Sequence, residues 1–244
     1  NIYMEKNEFD LAFDYYKRCL KINYELCDTS KNDGILNNIG GVYYKKANYD
    51  VALEYYIKSQ KISQDNHNIG LMETSLDNIA HMYAIKGNYR KALVYFKKAY
   101  KIRKALELND KLWSTLNNMG YFYYRLSEYD KAKECLEESL QLLNNKNELI
   151  ADNLLPPTTN LYLVLKYFGQ TYNRKNILNL IKESKNIKFE LNLSLYQLLD
   201  DSSYIKSAYK QVQEKASAME EEFKLKFLSY PIPKAIVEEW EQVK

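Results

Sequence analysis

The feature that most constrains this 244-residue chain is a period of 40 residues. Stepping by 40 from Tyr3 leads to Tyr43, Tyr83 and Tyr123, and from Ala12 to Ala52, Ala92 and Ala132. Phe9 leads to Tyr49, Tyr89 and Tyr129, Tyr16 to Tyr56, Phe96 and Leu136, and Ile22 to Ile62, Ile102 and Leu142. Cys19 leads to the small residues Ser59, Ala99 and Ser139, and Gly40 to Ala80 and Gly120. Agreement across several registers is the mark of a stacked-repeat architecture, in which each unit buries its apolar face only against its neighbours.

Each unit reads as two helices. Leu36, Ile39, Gly40 and Tyr43 fall at helical spacing. Ala47-Asn48 then predicts a tight turn, and Val51, Ala52, Tyr55, Tyr56 and Ile62 a second helix. In the next copy the turn is Gly87-Asn88, with a glycine placed to stop the first helix. Gly40, Ala80 and Gly120 are expected where the two helices of a hairpin cross most closely, facing Ala52, Ala92 and Ala132. Large rings such as Tyr43 and Tyr56 fill the space beside them, which accounts for much of the total of 24 tyrosines. Only seven glycines and four prolines occur, which favours long helices over turn-rich sheet architecture.

The pattern Asn-Ile-Gly-x-x-Tyr … Ala-x-x-Tyr-Tyr-x-x-Ser over Asn38 to Ser59 resembles the tetratricopeptide repeat. It recurs from Asn78 through Tyr83, Ala92 and Phe96 to Ala99, and from Asn118 through Tyr123, Ala132 and Leu136 to Ser139. The common unit has about 34 residues, so the longer form here is similar to repeats of LGN-type and kinesin-light-chain-type scaffold proteins. The resemblance implies an all-α fold, a right-handed superhelical solenoid of helix-turn-helix repeats closed by a C-terminal capping helix. Regular repeats are expected over 1–145, the first one partial, degenerate repeats over 146–228 and a capping segment over 229–244. Because the chain opens in mid-unit, a fragment of a longer protein is expected.

The second half keeps the pattern less well. Leu195, Leu199, Ala208 and Val212 fit the template, and one degenerate unit is expected across 158–186. Pro156-Pro157 predicts a loop before it. A long helix is expected from about Ser203 to Leu228. Pro231-Ile-Pro233 then predicts a turn, with Pro233 opening a short helix at its first position. Ile236, Val237 and Trp240 on that helix would cover the apolar end of the stack. The stretch from Tyr230 to Trp240 also resembles the ends of repeat tails on bacterial multidomain signalling proteins.

In the tetratricopeptide family the first helix of each pair lines a concave groove. The resemblance therefore assigns a peptide-binding face to Asn38, Asn78 and Asn118, together with Asn37, Asp77 and Asn117. Further along the same helices come His81, Tyr121, Tyr44, Tyr124, Lys45 and Arg125. An amide offers both donor and acceptor, so a ladder of asparagines can satisfy a peptide backbone whatever its sequence. The same amides can instead bond to a neighbouring helix and orient the stack, and the tyrosines can pack or bind. Some relatives clamp a C-terminal carboxylate with lysines, an arginine and asparagines. The matching positions here are Asn37, Gly41, Ser114 and Asn118, which lack those cations.

Net charge is +3, from 35 basic and 32 acidic residues, which argues against a dedicated nucleic-acid binder. No apolar run approaches the roughly 20 residues that span a bilayer, so no membrane partner is expected. Cys19, Cys27 and Cys135 form no CxxC or metal spacing, and a reduced, cytoplasmic setting is the simpler reading. Cys19 and Cys135 occupy packing registers, and Cys27 ends a helix. His67 falls in the inter-repeat stretch Asp65 to Asn68, and Glu220 to Glu222 reads as a solvated helix face. With no nucleophile–base spacing, metal motif or phosphate loop, neither an enzyme nor a cofactor is expected. The leading expectation is a protein-interaction scaffold. The alternatives are a peptide-sensing regulatory module of a larger bacterial signalling protein and a self-assembling structural protein.

Overall fold

The structure, a computed structural model, describes residues 8–26, 30–145 and 150–244. Tyr3 and Cys27 lie outside the described residues. Among the described residues there are thirteen α-helices and no strand. They fall in two compact units, residues 1–102 and 103–244.

The first unit holds α1 (Phe9–Glu25), α2 (Asn32–Lys45), α3 (Tyr49–Asp65), α4 (Ile69–Ile85) and most of α5 (Tyr89–Ala105). The second holds α6 (Asn109–Arg125), α7 (Tyr129–Asn144), α8 (Ala151–Tyr167), α9 (Arg174–Glu183) and α10 (Phe189–Leu199). It ends with α11 (Ser202–Ser217), α12 (Glu221–Ser229) and α13 (Pro231–Val243).

The 40-residue period resolves into two equal halves. Helices α3 to α7 begin at residues 49, 69, 89, 109 and 129. Before each start, one residue turns left-handed: Ala47 (φ 59°), His67 (53°), Gly87 (76°), Glu107 (53°) and Ser127 (59°). After each, the next amide donates to the carbonyl five residues back, as in Asn48 to Tyr43, Asn68 to Ser63 and Asn88 to Tyr83. Leu108 to Arg103 and Glu128 to Tyr123 repeat this Schellman bond. Asn48, Asn68 and Asn88 then cap the next helix, their side chains accepting from the amides of Val51, Leu71 and Lys91. The expected turns at Ala47-Asn48 and Gly87-Asn88 thus share one geometry with His67, which is exposed.

The small residues sit where close approach demands them. A Cβ added at Gly40 would lie 2.7 Å from Cε1 of Tyr56. One added at Gly120 would lie 2.5 Å from Cγ of Leu136 and 3.2 Å from the carbonyl of Ala132. Beside the first crossing Tyr43 stacks on Tyr55 at 5.5 Å, and Tyr83 repeats this with Tyr95 at 5.5 Å. The Ser59 hydroxyl donates to the Asp33 carbonyl (2.8 Å) and pairs with Ser75 Oγ (2.9 Å). Eighty residues on, Ser139 donates to the Trp113 carbonyl (2.7 Å). The small-residue register therefore lets helices approach and also satisfies buried backbone oxygens. Two ion pairs recur one period apart, Lys46 with Asp10 and Lys86 with Asp50.

Beyond α7 the structure corrects three expectations. Pro156 and Pro157 do not make a loop: both lie inside α8. Each proline removes one hydrogen bond, to the carbonyls of Asp152 and Asn153 near the helix start. The helix is held instead by its buried face, where Leu155 and Leu163 join Ile177, Leu180, Leu195, Leu198 and Leu199 in one core. α8 packs against α9 and begins at Ala151, ahead of both prolines.

The long helix from Ser203 to Leu228 is broken. The chain leaves α11 after Ser217, Met219 donates back to Ala216 (3.1 Å), and Glu220 is extended (ψ 149°). The break turns Phe227 back to meet Phe189, ring centroids 6.2 Å apart, and Phe227 is buried. Burying a ring of that size contributes about 1.5–3 kcal/mol, which a straight, solvated helix would forgo. The last helix opens at Pro231 rather than Pro233, with Tyr230 as its N-cap residue. α13 packs on α11: Ile236 is buried and Trp240 stacks on Tyr209 at 5.7 Å.

Candidate functional site

The polar residues singled out in the sequence fall on three first helices, and each unit carries its own set. In the first unit Asn37 and Asn38 lie on α2, about two turns before Tyr44 and Lys45, and Asp77, Asn78 and His81 lie on α4. The Asn78 amide donates to Asn37 Oδ1 at 3.0 Å, joining the two first helices. That bond uses one donor of Asn78 and one acceptor of Asn37, out of two donors and two lone pairs on each amide. Asn38 stands beside the pair and is exposed. His81 Nδ1 lies 2.9 Å from the Asp77 carbonyl and 3.3 Å from Asp77 Oδ2, while its ring meets Phe96 edge-on at 5.1 Å. These contacts orient an imidazole that is itself 44% exposed.

Tyr44 turns toward the loop end of its hairpin, its ring centroid 5.6 Å from that of buried Tyr49. Burial pushes the Tyr56 hydroxyl well above the usual phenol range, with Tyr44 adding to the effect. The Tyr56 hydroxyl is therefore a neutral hydrogen-bonding group at any physiological pH. Lys45 is exposed.

In the second unit, α6 carries Asn117, Asn118, Tyr121, Tyr124 and Arg125. Here Asn160 of α8 donates to Asn117 Oδ1 at 3.0 Å, the same bond that Asn78 makes to Asn37. Asn160 is buried and had no place in the sequence reading. It lies 42 residues past Asn118, two off the register, because the link before α8 is longer. Arg125 donates to the Tyr121 hydroxyl at 2.8 Å and holds its guanidinium 5.8 Å from the same ring. Tyr124 packs against the unit's core and against Tyr129 at 5.9 Å. Burial foremost, then Tyr129, raises its pKa, and Arg125 opposes the shift.

The asparagines thus do two jobs by position. Asn37, Asn78, Asn117 and Asn160 tie adjacent first helices together, whereas Asn38 faces solvent. Asn118 is half-buried. Among the described residues no cluster of His, Cys, Asp or Glu is arranged to hold a metal ion, and no helix is long and apolar enough to cross a membrane. Cys19 and Cys135 are half-buried.

Paired helices joined by period-40 crossings and first-helix amide bonds define an α-helical repeat protein. Tetratricopeptide repeat models match residues 33–105, 113–146 and 1–25, together more than half the chain. The chain belongs to the tetratricopeptide repeat family.

Among solved structures, the apo form of RapI is similar over 99% of this chain and 71% of its own, at 16% identity and a TM-score of 0.71. A Rap protein complexed with Competence and Sporulation Factor matches 99% of this chain and 72% of its own, at 15% identity and a TM-score of 0.62. A putative kinesin light chain with nearly identical TPR-like repeats, from Podosopora anserina, matches 82% and 92%, at 12% identity and a TM-score of 0.59. At these identities the likeness is one of fold. Among curated proteins none matches this sequence.

Proposed function

We propose that the chain is a protein-interaction scaffold that binds a peptide or partner protein along the polar faces of its first helices. The observation that carries this reading is the Asn37–Asn78 pair, with exposed Asn38 beside it. The pair is pre-oriented by its own bond yet keeps donors and acceptors in excess, so a ligand backbone can add bonds without ordering the amides first. His81, oriented by Asp77 but 44% exposed, presents a further hydrogen-bonding ring on the same helix as Asn78. On the second unit, Asn118 and the Tyr121–Arg125 pair offer a comparable polar and aromatic surface.

Selection of a random peptide library on the purified chain tests this. Selected peptides should lose affinity for a variant carrying Asn38→Ala and His81→Ala, two side chains whose removal leaves the Asn37–Asn78 bond and the helical signal intact. Peptides that bind this variant as tightly as the original chain would refute the proposed face. The double change Asn78→Ala with Asn118→Ala is the harsher companion, since it also removes the inter-helix bond to Asn37.

A second reading, a regulatory module that senses a peptide within a larger bacterial signalling protein, draws support from the Rap protein complexed with Competence and Sporulation Factor, whose fold matches 99% of this chain. An effector domain encoded in the same reading frame would favour it over a freestanding scaffold.

A further inference from the structure

The first unit carries a groove that shares no residue with the face just described. It is open, about 900 Å³ in volume, and formed where the end of α3, the start of α4 and the end of α5 meet. Its floor is apolar: Ile69, Met72 and Leu76 follow one another along α4, and Ile102 closes it from α5. Its walls differ in character. Gln60, Gln64 and Asp65 stand on the α3 side, Lys98 and Lys101 on the α5 side. Ile69 at the rim is 47% exposed although it is the first residue of its helix, and Leu76 at the bottom is buried.

The basic wall is part of a larger asymmetry. α5 contains no aspartate or glutamate, and Arg90, Lys91, Lys97, Lys98 and Lys101 are all exposed on it. Lys98 holds its ammonium 5.3 Å from the Tyr95 ring centroid, which fixes one cation at the wall. Of these cations, Lys98 and Lys101 line the apolar trough.

We propose that this groove docks an acidic amphipathic helix of a partner protein. The floor residues at i, i+3 and i+7 of α4 have the spacing that interdigitates with anchors at i, i+3 or i+4, and i+7 of a second helix. The incoming apolar stripe covers Ile69, Met72 and Ile102, and carboxylates along one flank meet Lys98 and Lys101. The amide wall of Gln60 and Gln64 tolerates a polar opposite flank, and Asp65 disfavours a helix that is acidic on both sides. An anionic bilayer is a poorer match, because the apolar residues line a recess rather than project from it. A nucleic acid would meet the same cations but leave the apolar floor unused.

The test uses the whole chain and two labelled peptides of about 16 residues, long enough to form helix on binding. One carries leucines at i, i+4 and i+7 with glutamates on one flank; the other has lysines in place of the glutamates. By fluorescence anisotropy the glutamate peptide should bind, more weakly as salt rises, and the lysine peptide should not. Lys98→Glu with Lys101→Glu should weaken the glutamate peptide by about tenfold or more and bring in the lysine peptide. Ile69→Asp, an exposed first-turn position where an anion suits the helix dipole, should abolish binding without unfolding α4. Asn38→Ala with His81→Ala should leave all of this unchanged, which separates the groove from the first-helix face. The proposal is overturned if neither peptide binds, or if charge reversal leaves the affinity as it was. It is equally overturned if phosphatidylserine vesicles or duplex DNA bind through Lys98 and Lys101 where the glutamate peptide does not.

Discussion

The stretch from α2 to α7 and the stretch from α8 to α13 are built from the same kind of helix but are specified differently. In the first, each of α2 to α6 ends in a left-handed residue and a Schellman bond, and the next helix begins two residues after that left-handed residue. In the second, the links vary: Gly169 (φ 67°) ends α8, an extended Ser184 ends α9, left-handed Asp200 ends α10, and an extended Glu220 separates α11 from α12. The regular stretch is held by short-range backbone bonds that recur within each link. The later stretch depends on contacts far apart in the chain, as when Leu155 meets Ile177 and Leu195. Where local signals weaken, tertiary burial decides the helices.

The strongest way to break that contrast is to empty the later core. Leu195 is fully buried at its centre. Leu195→Ala should cost about 2–5 kcal/mol, measured by urea denaturation. Hydrogen exchange should show the loss of protection concentrated in α8 to α11. Equal loss in α2 and α3 would show that the regular stretch leans on the same core and would erase the distinction drawn here.

Next in size is a test of the crossings. Gly120→Ala should destabilise by about 1–3 kcal/mol, because its new methyl meets both Leu136 and the fixed carbonyl of Ala132. Gly70 is the control, since a Cβ there meets nothing within 4 Å. Gly70→Ala should be neutral or stabilise by up to about 1 kcal/mol through helix propensity alone. Thermal melts of the two variants that moved together would deny that the glycine register is steric.

These contrasts explain what could be read in advance. The 40-residue register exposed α2 to α7 and the Gly40 and Gly120 crossings, because each recurs in sequence. The half-period went unread because its left-handed residues are Ala47, His67, Glu107 and Ser127, which share no side-chain chemistry; the capping asparagines 48, 68 and 88 were the available signal. Pro156-Pro157 misled because a local rule was outweighed by the buried leucines around it. On the candidate face, the asparagine spacing was visible but its division of labour was not. Asn37 and Asn78 differ from Asn38 only in which neighbour each side chain reaches. The groove on α3, α4 and α5 combines residues from three helices, and its one sequence trace is the absence of acids from α5.

A smaller effect probes the later stretch by its charge. Burial of Glu190 at the start of α10 raises its carboxyl pKa, opposed by Lys215 and Lys188. The folded state therefore holds the proton more tightly than the unfolded chain. The resulting penalty is absent below the ordinary carboxylate range of about 4.3 and grows as pH rises through the raised value. Glu190→Gln should stabilise the chain at neutral pH, and its advantage should vanish on acidification. An advantage that persisted at pH 3 would mean that packing, not ionisation, is the cause.

The smallest predicted effects belong to the links that make the early stretch regular. Glu107 and Ser127 hold positive φ with a Cβ, whereas Gly87 does the same work without one. A left-handed L-residue costs about 1–2 kcal/mol, and glycine's greater unfolded-state entropy returns about 0.5–1 of that. Glu107→Gly and Ser127→Gly should therefore each stabilise by about 0.5–1 kcal/mol in denaturant titrations. The same exchange at Asn145, a right-handed helix end at the close of α7, should not help. A gain at Asn145 equal to the other two would make the benefit a general property of glycine in links and detach it from the left-handed geometry on which the half-period rests.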